Sequence, residues 1–373
     1  MAYKVPFVDL PAHFKHLENE LKLLLEDVLF TRADFIMRSD LREFENNIAS
    51  YVGVNYAVGV NSGFDALHFS ALSAGLSPGD EVITVGHTFV ATVAAIVHCG
   101  ATPILVDIGD DFNMDMQQLE QAISTRTKAV IPVHLNGRLC DMEKLMNLAN
   151  MHNLLVIEDA AQALGANFDG KKAGSFGLTG CFSLYPMKIL GGAGDGGIVV
   201  TNDEKIEQKI RFLRDHGQNR ETRELTGYGF NSRLDNLQAS ILNMKLKYLP
   251  QWIERRREIA NIYHQGLSGI SDIKLPPPPQ TNGQYFDVFQ NYVVCAHDRD
   301  RLVSYLKEDC DIEVLISWSI PMHHHEALGL SHFKLPNTEK ISREVVSLPM
   351  NTEISNEQVE YVIDCVRNFY KKL

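Results

Sequence analysis

Lys188 stands among groups that together can bind an aromatic aldehyde cofactor. Asp159 ends an apolar run, Gln162 follows it closely, and the turn from Ser183 to Lys188 leads into a glycine-rich stretch. A lysine amine bonds to an aldehyde carbon, and a carboxylate keeps a pyridine nitrogen protonated. We therefore predict pyridoxal phosphate (PLP), with Lys188 at its aldehyde carbon and Asp159 at its pyridine nitrogen. Gln162 would face the ring hydroxyl and Ser183 the phosphate.

Each of these residues also has a simpler interpretation. A single aspartate after a strand can cap a turn, and a single lysine usually lies on the surface. Pro186 ends the strand before Lys188, and the glycines of residues 191–197 leave backbone space beside its side chain, which favours catalysis. The glycine run follows the lysine and lacks the Gly-Lys-Ser/Thr ending of a mononucleotide loop, so we reject a nucleoside triphosphatase.

The segment Ser62-Gly63-Phe64 supplies donors for a phosphate. Ser62 can cap the helix that follows, Gly63 allows close approach, and the positive end of the helix attracts an anion. Taken alone, the segment is only an ordinary capped helix start. Phe89 has the shape to stack on the pyridine ring, although a single phenylalanine is more commonly a core aromatic.

The run from His323 to Glu326 contains three histidines and a glutamate. Consecutive side chains diverge, and no two of these ligands are spaced by four residues. We therefore predict no metal site and place His323 near the substrate.

Short apolar runs alternate with helical stretches through the first 214 residues, which predicts an α/β fold. Several runs are apolar almost throughout, as strands buried on both faces are. We expect a mostly parallel seven-stranded sheet covered by helices, with functional groups at the carboxyl ends of its strands. The predicted strands are residues 57–60, 81–85, 103–107, 129–134, 154–159, 180–184 and 197–201, and the predicted helices are 65–74, 90–98, 116–123, 142–152 and 205–214.

The second part of the chain predicts a smaller α+β domain. Helical patterns at 234–247 and 250–267 precede four prolines at 276–279, which form a stiff connector. A strand at 289–295 and helices at 301–308 and 355–371 follow. We predict a large PLP-binding domain of residues 1–249 and a smaller C-terminal domain of residues 250–373.

Composition narrows the class of partner and the compartment. The chain has 373 residues, is 45% hydrophobic and carries a net charge of −12, which argues against nucleic acid and anionic membranes as partners. No apolar run reaches the roughly 18 residues of a membrane-spanning helix. The six cysteines are scattered without a C-x-x-C pair, and we see no leader, so we expect a cytoplasmic protein.

Motifs along nearly the whole chain carry a family resemblance. They include Pro6 to Leu10, Asn61 to Gly63, Pro78 to Val82, Glu158 to Ala163, Phe182 to Lys188 and Gly229 to Asp235. Together they resemble the DegT-type sugar aminotransferases, PLP enzymes of fold type I in the aspartate aminotransferase superfamily. The resemblance implies amino transfer from glutamate to a keto sugar, usually linked to a nucleotide.

The resemblance also assigns residues to the site. Lys188, Asp159, Gln162, Ser183 and Phe89 match the cofactor-binding positions of the family, and residues 62–64 match its phosphate turn. Asn231 matches a phosphate contact supplied by the neighbouring subunit, which implies a homodimer. Candidates for substrate contacts are Tyr185, Arg233 and His323, with Arg220 and Arg223 as further candidates for a diphosphate.

Departures from the family pattern concern the substrate. Phe64 replaces a common threonine, Leu164 replaces a frequent histidine, and Met37-Arg38 stands where small residues are usual. The glycine-rich loop of residues 190–197 resembles members that aminate a 3-keto sugar slightly more than 4-keto enzymes.

Two alternatives stay open. One is a PLP-dependent sugar dehydratase or deoxygenase, but members of that branch carry histidine where this chain has Lys188. The other is a regulatory protein that binds PLP without catalysis, and the intact set of cofactor residues argues against it.

Overall fold

The computed structural model describes residues 3–220 and 222–371. Its strands are β1 (Tyr56–Val60), β2 (Glu81–Val85), β3 (Thr102–Val106), β4 (Thr127–Val130), β5 (Leu155–Asp159), β6 (Asn167–Phe168), β7 (Lys171–Lys172), β8 (Thr179–Ser183), β9 (Gly197–Thr201), β10 (Ile273–Lys274), β11 (Tyr285–Phe286), β12 (Tyr292–Ala296) and β13 (Val345–Leu348). Its α-helices are α1 (Leu10–His16), α2 (Glu18–Glu26), α3 (Ser39–Val52), α4 (Gly63–Ser73), α5 (Val90–His98), α6 (Met116–Ala122), α7 (Met142–His152), α8 (Glu204–Arg214), α9 (Asn236–Leu246), α10 (Leu249–Leu267), α11 (Arg299–Ser304), α12 (Pro336–Glu344) and α13 (Asn356–Lys371). Short π-helical turns span Asp27–Arg32 and Tyr305–Asp309, and 3-10 turns span Leu135–Gly137, Met322–His324 and Glu326–Leu328.

A seven-stranded sheet in the order β1-β9-β8-β5-β4-β2-β3 forms the centre of the larger part of the chain. The pairs β2/β3, β2/β4, β4/β5 and β5/β8 are parallel, and β9 runs antiparallel to both of its neighbours, β1 and β8. Helices cover both faces of the sheet, which agrees with the apolar composition of its strands. The predicted α/β fold with a mostly parallel seven-stranded sheet is confirmed. Since β5 and β8 are adjacent and parallel, Asp159 and Ser183 end at the same edge of the sheet.

Strand β4 is shorter than predicted. We expected a strand at 129–134, but the regular ladder stops at Val130. Pro132 has no backbone N–H to donate, and its carbonyl accepts from Asp159 N at 2.9 Å. The segment therefore stays beside β5 through single contacts and ends on His134, whose N–H donates to the Asp159 carbonyl at 2.9 Å.

A buried ion pair holds α3 and α8 against β1, the strand that leads to Ser62. Arg214 Nη1 lies 2.5 Å from Glu45 Oε1, and both side chains are almost fully buried. Gly59 N also donates to this oxygen at 2.9 Å, and Arg211 binds Oε2 at 2.9 Å. Burial raises the pKa of Glu45, but the two guanidinium groups outweigh that effect and the net shift is downward.

Replacing the buried carboxylate with an amide should strongly destabilise the fold. Glu45→Gln leaves Arg214 buried without its counter-charge, so we expect the free energy of unfolding to fall by about 3 kcal/mol. The pKa of Glu45 is lower in the folded state than the unfolded value of about 4.3. Its ion pair therefore stabilises the fold above that value, and this stabilisation is lost as pH falls through the folded pKa. Urea unfolding at several pH values tests this, with exposed Glu43→Gln on the same helix as control. Equal stability of the two variants would refute the ion pair.

The three-stranded sheet β10-β12-β13 and helices α11 and α13 contribute to a second hydrophobic core. Helix α10 reaches both cores, because Trp252 and Ile253 pack in the first and Ile259 and Tyr263 in the second. Val5 from the start of the chain also packs in the second core. Because α10 contributes to both cores, the cores do not mark a boundary between residues 249 and 250, which lies at the first residues of this helix. The predicted division into two domains there stays a proposal.

Within residues 3–220 and 222–371, no helix combines the length and apolar character needed to cross a membrane.

Candidate functional site

A cavity of about 460 Å³ opens at the carboxyl ends of β5 and β8. Its position agrees with the rule that open α/β sheets bind ligands beyond the carboxyl ends of their strands. Predicted site residues that line it are Ser62, Gly63, Phe64, Phe89, Asp159, Gln162, Ser183, Tyr185 and Lys188. Residues from well-separated segments thus meet in one place, although their roles in binding stay predictions.

Asp159 is a buried carboxylate at the floor of this cavity, with 6% of its surface exposed. Thr92 Oγ1 donates to its Oδ2 at 2.7 Å, and Ala161 N donates to its Oδ1 at 3.2 Å. Burial raises its pKa, and these hydrogen bonds oppose the shift only in part. Among the described residues no cation forms an ion pair with Asp159. A positively charged ring nitrogen in the cavity would supply that missing charge.

Lys188 lines the same cavity. It belongs to the turn after β8, where its N–H donates to the Tyr185 carbonyl at 2.8 Å. Burial lowers the pKa of Lys188, and the attraction of Asp159 opposes part of the shift. A lysine with a lowered pKa is more often the free amine, the form that attacks an aldehyde carbon or removes a proton.

Gln162 is oriented by a backbone donor. The N–H of Asn136 donates to Gln162 Oε1 at 2.7 Å, in a 3-10 turn where Asn136 has a φ of +58°. This contact fixes which end of the amide is oxygen, and it leaves the Nε2 group as a donor. A donor is what a phenolic oxygen on a ligand ring requires.

The start of α4 lines the side of the cavity where we predicted phosphate binding. Ser62 Oγ accepts from Asp65 N at 3.1 Å, so the predicted cap is present, while the first backbone N–H groups of the helix have no intrahelical acceptor. Ser183 lies across from this turn, because a methyl group added at Gly63 would lie 2.8 Å from Ser183 Cβ. The close approach explains why glycine is required here.

Substituting Gly63 should weaken phosphate binding specifically. In Gly63→Ala the added methyl displaces Ser183 or tilts the helix start, so we expect the Kd for PLP to rise at least about tenfold, a loss of roughly 1.4 kcal/mol. Fluorescence titration of the cofactor-free protein with PLP measures the change. Gly170→Ala is the control for a glycine-to-alanine change away from the cavity, because no atom beyond its two chain neighbours lies within 4 Å of the added methyl group. Its φ of +76° adds local backbone strain but should leave the Kd for PLP unchanged. Unchanged affinity in Gly63→Ala would contradict the assigned phosphate turn.

Five predicted residues do not line this cavity: His323, Arg220, Arg223, Asn231 and Arg233. His323 is 1% exposed and lies beside Glu339, so its predicted place facing a substrate in this cavity is not observed. Arg233 binds Asp215 at 3.1 Å, and Arg220 binds the same carboxylate. Asn231 is exposed and pairs with the backbone of Asp215.

The cavity also includes residues that the sequence reasoning missed. His134 is fully buried, with Nε2 3.0 Å from Glu158 Oε2 and Nδ1 accepting from Cys140 N at 3.3 Å. The sequence signal that could have indicated His134 as a site residue is its position at the end of an apolar run. Trp318 closes another side of the cavity from the C-terminal part of the chain, and no local pattern marked it.

The residues present fit PLP. The cavity combines a buried carboxylate that forms no ion pair within residues 3–220 and 222–371, an amine with a lowered pKa, a fixed amide donor and a helix start that can bind phosphate. Its volume lies in the range of about 300–1,000 Å³ that is usual for cofactor and small-ligand sites. Fold and site together define an enzyme of the PLP-dependent class.

Comparison with known proteins identifies the family. Residues 17–367 match the DegT/DnrJ/EryC1/StrS aminotransferase family, and the chain belongs to it. The chain is 40% identical to the UDP-N-acetyl-3-dehydro-alpha-D-glucosamine 3-aminotransferase of Acidithiobacillus ferrooxidans, covering 97% of each protein. It is also 39% identical to a protein of Geobacillus stearothermophilus named pleiotropic regulatory protein, covering 98% of this chain and 99% of that one.

Solved structures agree with this assignment. The crystal structure of DesV from S. venezuelae, in complex with a ketimine intermediate, is 37% identical, has a TM-score of 0.95 and covers 100% of both chains. More distant structures at 25–30% identity contain PLP or its amine form, with TM-scores of 0.87 and 0.88. The resemblance to the sugar aminotransferases is therefore confirmed, and the protein is an aminotransferase that depends on PLP.

Proposed function

We propose that this protein transfers the amino group of glutamate to a keto sugar linked to a nucleotide diphosphate. The observation that carries the proposal is that Lys188 and the buried Asp159 line one cavity. Relatives named as aminotransferases of nucleotide-linked sugars support the substrate class. Several of these names specify amination at carbon 3, which agrees with the glycine-rich loop, and we propose the 3-keto position.

The residues of the chain would divide the reaction as follows. Bound PLP supplies an electron sink that stabilises negative charge on the substrate carbon. Asp159 would hold the proton on the pyridine nitrogen, and the Lys188 amine would serve as the base that accepts and returns the substrate proton. Gln162 Nε2 would donate to the ring oxygen. The start of α4 and Ser183 would bind the phosphate, and Phe89 would contribute an aromatic contact to the ring.

We also propose that the active enzyme is a homodimer whose sites are completed across the interface. Two aromatic side chains that line the cavity are exposed in the single chain, Phe89 at 62% and Tyr185 at 47%, and Phe230 is 42% exposed. Asn231 lies next to Phe230 and does not line the cavity of its own chain, so a phosphate contact from it requires a second copy.

Subunit mixing tests the shared site. Lys188→Ala and Asn231→Ala chains should each be weakly active alone, whereas their heterodimer contains one site with both residues intact. Co-expression with two affinity tags isolates the mixed dimer, and we expect turnover well above that of either parent. A monomer by light scattering, or a mixed dimer no more active than its parents, would rule out the proposed interface.

A two-step assay tests the proposed activity. Glutamate alone should convert bound PLP to its amine form with release of 2-oxoglutarate, which absorbance and product assay both report. Adding UDP- or dTDP-linked 3-keto sugars should restore the aldehyde form, and 4-keto sugars should do so more slowly. If glutamate converts the cofactor but no keto sugar restores it, the acceptor class is wrong.

A regulatory protein is the second candidate, and the name of the Geobacillus relative is the observation that favours it. That name describes the relative alone. A regulator without catalysis would leave the cofactor spectrum unchanged with glutamate, so the same assay separates the two functions. A sugar dehydratase or deoxygenase is disfavoured by the presence of Lys188 and would give no amino product.

We propose a cytoplasmic location. All six cysteines are free and buried thiols, as expected in a reducing compartment.

A further inference from the structure

A second group of ligand-type side chains lies outside the PLP cavity. His323 and His324 belong to the 3-10 turn Met322–His324, and Glu339 belongs to α12. We call these three residues the His-His-Glu cluster. One nitrogen or oxygen from each lies within 4.8 Å of the others.

The distances within the cluster suit a tetrahedral cation. Glu339 Oε1 lies 3.2 Å from His323 Nε2 and 3.7 Å from His324 Nε2. Two ligands with bonds of about 2.0–2.1 Å to a tetrahedral ion lie about 3.4 Å apart. Both observed distances are close to that value, and the ligand atoms of the two histidines lie within 4.8 Å of each other.

The two elements that carry the cluster are held in place independently of it. Asp107, just after β3, accepts from Asn337 N at 2.8 Å and from Thr338 N at 2.7 Å, which fixes the start of α12. Met322 N donates to the Gly86 carbonyl at 3.1 Å, and the Met322 side chain packs with Leu335. A site on anchored elements loses little conformational entropy when it binds an ion.

We propose that the His-His-Glu cluster binds a divalent transition-metal ion, with Zn²⁺ as the best match. Two imidazoles and one carboxylate are ligands that Zn²⁺ accepts, and three protein ligands leave a position for water. His323 is 1% exposed while His324 is 46% exposed, so the site has a fixed inner ligand and an open outer side. The bound ion joins α12 to the loop that follows Trp318, a wall of the PLP cavity.

The competing explanation is a hydrogen bond between His323 and Glu339 without any ion. That contact explains the 3.2 Å distance, and it agrees with the lowered pKa of Glu339. It gives no role to His324, however, whose ring centroid lies 4.4 Å from that of His323. The effect of removing His324 therefore distinguishes a metal site from a hydrogen bond.

Zinc titration of the PLP-loaded enzyme tests the proposal. After chelator treatment, calorimetry against a competing chelator should show one Zn²⁺ per chain. His324→Ala and Glu339→Gln should each weaken binding at least about tenfold, and both leave the buried His323 in place. His325→Ala is the control, since this neighbouring histidine lies outside the cluster and should leave the affinity unchanged.

Thermal unfolding gives a second readout. Zn²⁺ should raise the Tm of the parent protein and of His325→Ala, but not that of His324→Ala. Absence of stoichiometric zinc binding, affinity unaffected by His324→Ala and Glu339→Gln, or equal loss in His325→Ala would each overturn the proposal. Amino transfer from glutamate is measured separately, so failure of the metal site leaves the proposed function untouched.

Discussion

Lys188→Ala should lower the turnover number for amino transfer by at least about a thousandfold. The substitution removes the amine that bonds to the aldehyde carbon and carries the proton, and general acid–base catalysis alone contributes about 10²–10⁴ in rate. PLP should still bind, because the start of α4 and Asp159 are unchanged. Steady-state kinetics with glutamate and a keto sugar, together with the cofactor spectrum, measure both effects.

Lys171→Ala provides the matched control for Lys188→Ala. Lys171 is an exposed lysine in the short strand β7, away from the cavity, so its removal should leave turnover unchanged. Retained multiple turnover in Lys188→Ala, with normal folding in both variants, would mean that another group performs the proton transfer.

Asp159→Asn should produce the second largest loss, about a hundredfold or more in the turnover number. The amide is nearly the same size but carries no charge, so the pyridine nitrogen loses its proton at neutral pH and the electron sink weakens. Thr92 and Ala161 currently donate to the carboxylate, and an amide nitrogen cannot accept from either of them. The cofactor spectrum and the rate of the glutamate half-reaction report the change.

Thr92→Val separates charge from hydrogen bonding in that result. It removes one donor to Asp159 and leaves the carboxylate in place, so we expect a loss of less than about tenfold. Comparable losses in Thr92→Val and Asp159→Asn would show that orientation, and not charge, is what the reaction requires.

The bounds of several strands and helices could be predicted from the local sequence pattern. Strands β2 and β9 and helices α5 and α7 occur at the predicted bounds, because long apolar or strongly periodic segments leave few alternatives. The predicted strand at 129–134 was too long, since an apolar run does not show that Pro132 interrupts its ladder.

Much of the cavity could also be predicted, since Asp159 and Ser183 end their strands and functional groups gather at carboxyl ends. The contact of Thr92 with Asp159 and the position of Trp318 depend on packing between segments distant in the chain. Local patterns carry no information on such contacts. The His-His-Glu cluster could not be predicted for the same reason, because Glu339 lies on a helix that is distant in sequence from the two histidines.

Borohydride reduction of the PLP-loaded enzyme, followed by peptide mass mapping, tests the central claim most directly. Reduction makes the bond between the lysine nitrogen and the cofactor carbon permanent, so the modified residue can be located. We predict a single pyridoxyl group on Lys188. An adduct on another residue, or none although PLP is bound, would contradict the account.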